Sequence, residues 1–236
     1  MTEELNVLDM EPTFANLTDM TLKRPEDVRA VSRDEDLQPR VVLNLLLIGL
    51  AGIALFSIAF TIILACAPQL PWVPRVSFHD RSILRPMLSY TIGMVGALGI
   101  CLPSFYFYGL LAGIRASMLQ VTAISLHALA TTGIILMGLL PIYVGVILAV
   151  IVLGATPGLV YPFLVAIGLL LPFMAGLTSL KVMYEGFVDL IRTLPETRME
   201  SRAPMVRMLA LAWACLYTAV APVTLWAVRT QLEKIL

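Results

Sequence analysis

Residues 41–67 read VVLNLLLIGLAGIALFSIAFTIILACA, and not one side chain in the run is charged. A helix needs about 20 predominantly apolar residues to cross the hydrocarbon core of a bilayer. This stretch meets that length with residues to spare. PQLPWVP follows it, and proline ends the helix because it lacks a donor and clashes with the preceding turn. Trp72 at that edge fits the aromatic belt of a membrane interface.

The rest of the chain repeats the pattern. Residues 74–85 form a polar loop carrying Arg75, His79, Asp80, Arg81 and Arg85. A second span is expected from about Pro86 to Gly113, bent at Pro103, with Phe105, Tyr106, Phe107 and Tyr108 near an interface. A third is read from Ala116 to Leu140. Pro141 then opens PIYVGVILAVIVLGA, which is short for a crossing, and TPG at 156–158 interrupts the chain again. Residues 159–180 are a clear span, bent at Pro162 and Pro172, and residues 205–228 are the last. The expected fold is an all-α polytopic transmembrane helix bundle of five or six spans with a polar N-terminal tail.

Loop charge favours five. Cytoplasmic segments carry an excess of Lys and Arg. With five spans and the N-terminus inside, eleven basic residues lie inside and five outside; with six, the split is eight and eight. In the five-span reading, residues 142–155 are re-entrant or fuse with the span that follows.

Composition supports lipid as the solvent. The chain is 59% apolar and 14% charged, where a soluble domain is about a quarter charged. Charge is also segregated. Residues 1–40 hold ten of the sixteen acids, against Lys23, Arg24, Arg29, Arg33 and Arg40, a net of −5. An acidic leader argues against a nucleic-acid-binding tail, which would be basic. The chain therefore divides into an acidic tail, 1–40, expected in the cytoplasm, and a transmembrane domain, 41–236. No cleavable signal peptide is visible, because the N-terminus is polar and the first apolar run is too long for one.

The tail mixes its acids with Leu5, Val7, Leu8, Met10, Phe14, Leu17, Met20 and Leu22. It is either a disordered tail or a segment that folds on a partner. Residues 181–195, KVMYEGFVDLIRTLP, are amphipathic, with Met183, Phe187, Leu190, Ile191 and Leu194 on one face. This helix is expected to extend the preceding span. The tail and this helix are the expected contact surfaces for protein partners, and the bilayer is the other partner.

Few positions carry chemistry. No Asp or Glu lies inside a predicted span, which lowers the odds of an ion-coupled carrier. His127 is the one ionisable residue deep in a span, and Gln120, His127 and Thr131 share a helix face. Such groups point into the bundle, either as an interhelical hydrogen bond or as a proton relay or a haem ligand. A haem pair would need a second intramembrane histidine, and His79 sits in a loop. Gly93, Ala97 and Cys101 form a small-residue stripe, and Gly109 and Gly113 a GxxxG, both suited to close helix approach within the chain or to a partner. Cys66, Cys101 and Cys215 show no metal-ligand spacing, and Asp80 beside His79 reads as a solvated loop. No phosphate-binding loop, nucleophile elbow, zincin or dinucleotide fingerprint occurs. No catalytic residue, metal or cofactor is expected.

GLLAGIRASMLQVTAIS (109–125) and GLLPIYVGVI (138–147) resemble bacterial Yip1-type membrane proteins, with a small-residue turn, Ser and Gln, then a proline-containing helix. The likeness covers about a third of the chain. LPSFYFYGLLAG is not part of that signature and the acidic leader is extra. The resemblance implies a cytoplasmic N-terminus, five closely packed helices, a bacterial inner membrane and a non-enzymatic role, and it supplies no catalytic residues. The leading expectation is an accessory or scaffold subunit of a membrane complex. The alternatives are a small-solute transporter or channel lined by Gln120, His127 and Thr131, and a membrane anchor for a haem or quinone in an electron-transfer complex.

Overall fold

A computed structural model describes residues 12–34, 36–66, 83–111, 116–152, 157–191 and 196–235. Among them there are seven helices and no strand. Two are short, α1 (Phe14–Lys23) and α2 (Pro25–Val31). Five are long: α3 (Gln38–Cys66), α4 (Leu84–Leu111), α5 (Met118–Val152), α6 (Pro157–Ile191) and α7 (Glu196–Ile235). Each long helix holds a segment apolar and long enough to cross a membrane. The protein is an integral membrane helix bundle with five candidate spans.

The extra segment is placed differently from expectation. Residues 142–152 neither re-enter nor fuse with the span that follows; they continue the third span as part of α5. Pro141 lies inside that helix, as Pro103 lies inside α4 and Pro162 and Pro172 inside α6. Membrane helices tolerate internal proline because neighbours and local adjustment re-satisfy the freed carbonyls. At 1.5 Å per residue the 35 residues of α5 reach about 50 Å, so this helix tilts or projects beyond the hydrocarbon.

Close packing is built on glycine. α3 packs most extensively on α5. A Cβ on Gly52 would overlap the carbonyl group of Gly133, and one on Gly49 would come within 2.9 Å of Leu129 Cγ. The two backbones meet there directly, which gains dispersion contact and lets weak Cα–H bonds form where no hydrophobic force acts between helices. Further along α3, Phe56 and Phe60 join Tyr90 of α4 and Tyr143 of α5 in an aromatic cluster whose neighbouring rings have centroids 6.0–6.4 Å apart. Tyr143 donates its hydroxyl to Leu164 O at 2.8 Å, tying α5 to α6. A Cβ at Gly168 would overlap that hydroxyl.

Residues 12–34 are folded onto the bundle. Thr13 caps α1 by accepting from Asn16 N–H. Pro25 starts α2 at the position where its missing donor costs least, and Glu26 and Asp27 oppose the helix dipole in the first turn. Leu17, Met20, Val28 and Val31 are buried in the main core, and Asn44 of α3 donates to Pro12 O at 2.6 Å. Leu17 and Met20 therefore meet the protein's own bundle, whereas Phe14 and Leu22 stay exposed. Residues 1–11, with Leu5, Val7, Leu8 and Met10, lie outside the described residues.

Residues 181–191 extend the α6 span without a break, as expected. Their apolar face is covered from within the chain: Met183 and Phe187 are buried, and the Phe187 ring meets that of Phe105 edge-on at 4.5 Å. Leu194 lies outside the described residues.

Candidate functional site

α2, the start of α5 and the end of α6 converge at one end of the bundle. Arg29 of α2 reaches across to α6, with Nη1 2.9 Å from Glu185 Oε2 and Nε 2.8 Å from Asp189 Oδ2. Arg33 stands 3.9 Å from the same Asp189 oxygen. Gly186 lets α6 approach α5, since a Cβ there would lie 2.9 Å from Ile124 Cγ2. Arg29, Ser32, Gln120, His127, Gly186 and Asp189 surround a cavity of about 20 Å³, room for one water molecule.

The sequence candidates take distinct places around it. Gln120 lines the cavity, but its side chain is also engaged at the helix start. Gln120 Oε1 accepts from Ser117 N–H at 3.0 Å, and Gln120 N–H donates to Ser117 Oγ at 3.1 Å. This is a capping box. Gln120→Ala is expected to lower stability by about 1 kcal/mol, read as a fall of a few degrees in the thermal midpoint in detergent. An unchanged midpoint would mean that the cap contributes nothing.

His127 is 2% exposed, and its Nε2 has no hydrogen-bond partner among the described residues. Leaving such a group bare costs about 1–3 kcal/mol, and the neighbouring cavity is water-sized and bordered by Arg29, Ser32, Gln120 and Asp189. Thr131 is half-buried and donates its hydroxyl to His127 O at 2.8 Å, so that hydroxyl is bonded within its own helix. Gln120 and His127 are brought together at the cavity, and Thr131 is not among its lining residues.

The small residues separate as well. Gly93 faces α7, where a Cβ would lie 2.7 Å from Leu225 Cδ2. Ala97 and Cys101 are buried in α4. A Cβ on Gly109 would meet nothing within 4 Å. Gly113 and His79 lie outside the described residues.

No protein-family model, curated protein or solved structure matches this chain. Roles for its residues therefore come from geometry.

Two features of the site had little or no local signature. The ion pairs of Arg29 join residues more than 150 positions apart, a separation that no spacing rule reaches. Gly49, Gly52 and Gly133, which make the closest backbone contact, stand in apolar runs where glycine is common. The capping box was different: Ser-x-x-Gln at 117–120 stands in the sequence as a helix-start signal.

Proposed function

We propose that this protein is a non-enzymatic accessory or scaffold subunit of a membrane protein complex, and that the α1–α2 cap is the element it presents. The observation that carries the reading is a cap fixed from beneath that leaves two large apolar side chains exposed on α1. Arg29 fastens it to Glu185 and Asp189. On its outer side Phe14 is 46% and Leu22 62% exposed, eight residues apart on one face of α1. Pre-organised aromatic and aliphatic anchors on a helix are what a groove on a partner recognises. The charge count supports placing the cap in the cytoplasm, and the resemblance to Yip1-type proteins points to the same non-enzymatic role.

Purification in mild detergent tests it. The wild type is expected to carry a stoichiometric protein partner, and Phe14→Asp with Leu22→Asp is expected to lose that partner while remaining monodisperse. A lone monomer in both cases overturns the proposal.

A solute path past Gln120, His127 and Thr131 is the second reading, and the unpartnered Nε2 of His127 favours it. A liposome flux abolished by His127→Ala, in protein that still folds, would replace the first reading with this one.

A further inference from the structure

Two cavities lie one above the other between α6 and α7. The deeper one, about 270 Å³, is walled by residues that include Met94, Leu98, Leu129, Trp213 and Ala221. It is nearly twice the roughly 150 Å³ that admits benzene to an engineered core. The outer one, about 340 Å³, is bordered by Lys181, Tyr184, Arg207 and Leu211. Leu177 and Leu180 belong to both, so the two spaces adjoin.

Polarity falls from the outer space to the inner. Lys181 and Arg207 stand at the ends of their candidate spans' apolar parts, where headgroups begin. The Lys181 side chain is 80% exposed and only 3.8 Å from Glu185, a weak surface pair. Arg207 has no carboxylate partner among the described residues. Six residues further into α7, about 9 Å deeper, Trp213 Nε1–H is buried and meets no acceptor among the described residues. From Trp213 to Ala221 the deep cavity continues about 12 Å toward the middle of the bilayer.

The donors of the deep cavity are otherwise committed. Ser125 donates to Val121 O, Ser179 to Ala175 O, Thr218 to Ala214 O and Tyr217 to Met94 O. Thr132 has Ala128 O and Ser179 Oγ within reach. Among the described residues the indole N–H of Trp213, whose ring borders this cavity, is left as the donor without a partner. In hydrocarbon no water supplies the missing acceptor, so the occupant should bring one.

From this order of groups we infer an anionic phospholipid site between α6 and α7. The phosphate lies by Lys181 and Arg207, an ester carbonyl accepts from Trp213 Nε1–H, and one acyl chain fills the deep cavity. Cations, then a carbonyl-seeking donor, then an apolar channel match the headgroup, ester and chain of such a lipid in sequence. Basic pockets between membrane helices bind anionic headgroups by the same electrostatics. Leu177 and Leu211 are exposed at the rim, so the chain enters sideways from the bilayer.

The test is native mass spectrometry of the full chain, delipidated in mild detergent and titrated with phosphatidylglycerol, phosphatidylcholine or inorganic phosphate. One phosphatidylglycerol is expected to stay bound, about tenfold more tightly than phosphatidylcholine, with no retention of inorganic phosphate. Lys181→Gln with Arg207→Gln should abolish the preference between the two lipids. Gly176→Leu should expel both lipids, because it fills the deep cavity from a position where a Cβ meets nothing within 4 Å. Thermal midpoints of the lipid-free variants, within a few degrees of wild type, show that the fold is intact. Equal retention of both lipids by the wild type overturns the inference, as does retention unaffected by Gly176→Leu or a preference that survives loss of both cations. A fold-disrupting Gly176→Leu is replaced by Trp213→Phe, which keeps the ring and removes the donor; phosphatidylglycerol affinity unchanged in that variant also overturns it.

Discussion

Gly52→Leu is expected to abolish the folded bundle. A Cβ at this position would overlap the carbonyl oxygen and carbon of Gly133, so backbone rather than a yielding side chain stands in the way. Overpacking a well-filled core typically costs about 1–3 kcal/mol and occasionally more. Here two backbones, α3 and α5, would have to separate along their most extensive contact, so the cost exceeds that range. Native proteins have only about 5–15 kcal/mol of stability to lose. Size-exclusion chromatography in mild detergent is expected to show aggregate for Gly52→Leu and a reduced monodisperse peak for Gly52→Ala. Gly145→Leu is the control, since a Cβ there on α5 meets nothing within 4 Å. It should elute as the wild type does. A monodisperse Gly52→Leu with an unchanged melting point would show that the α3–α5 contact is not as close as described.

Arg29→Glu is expected to release the N-terminal cap. The Arg29 and Asp189 side chains are only 15% and 19% exposed, and with Arg29 gone Asp189 would still have Arg33 at 3.9 Å. The new carboxylate would also face Glu185. Breaking a buried pair by removing one partner costs about 3–5 kcal/mol. The low end applies, because Glu185 is 37% exposed and contributes little. About 3 kcal/mol corresponds to an opening equilibrium raised roughly a hundredfold. Limited proteolysis in liposomes reads this as faster cleavage across residues 24–37, with the five long helices still protected. Arg29→Glu combined with Asp189→Arg should restore part of the protection. Cleavage no faster than in the wild type would mean that the apolar contacts of Leu17, Met20, Val28 and Val31 hold the cap unaided.

Most of the architecture could be read from charge alone. The uncharged run becomes α3 as far as Cys66, and the helix extends back to Gln38 by about one turn. Asp19, Glu26, Asp27 and Asp34, from the acidic leader, lie ahead of the first candidate span. Pro141 was the misleading signal. In water a proline inside a helix marks its end, whereas in lipid the alternative to a helix is unpaired backbone, so α5 continues through it. The cost of burying an imidazole foretold that His127 would point inward. Its cavity was not foreseeable, because Arg29, Ser32 and Asp189 arrive from distant parts of the chain. The amphipathic pattern of 181–195 correctly singled out Met183 and Phe187 as a burying face. Periodicity tells which side of a helix is apolar and nothing about what covers it, and here the chain covers it itself.

Counting sides of the membrane separates an odd from an even number of crossings. An odd number of crossings puts the two ends of the chain on opposite faces; an even number puts them on the same face. Glu26→Cys on the cap and Glu233→Cys near the end of α7, each in a chain whose native cysteines are replaced by alanine, can be labelled in sealed vesicles with an impermeant thiol reagent. Five spans predict that one of the two positions reacts from outside and the other only after the vesicles are opened. Labelling of both positions from the same side would contradict it.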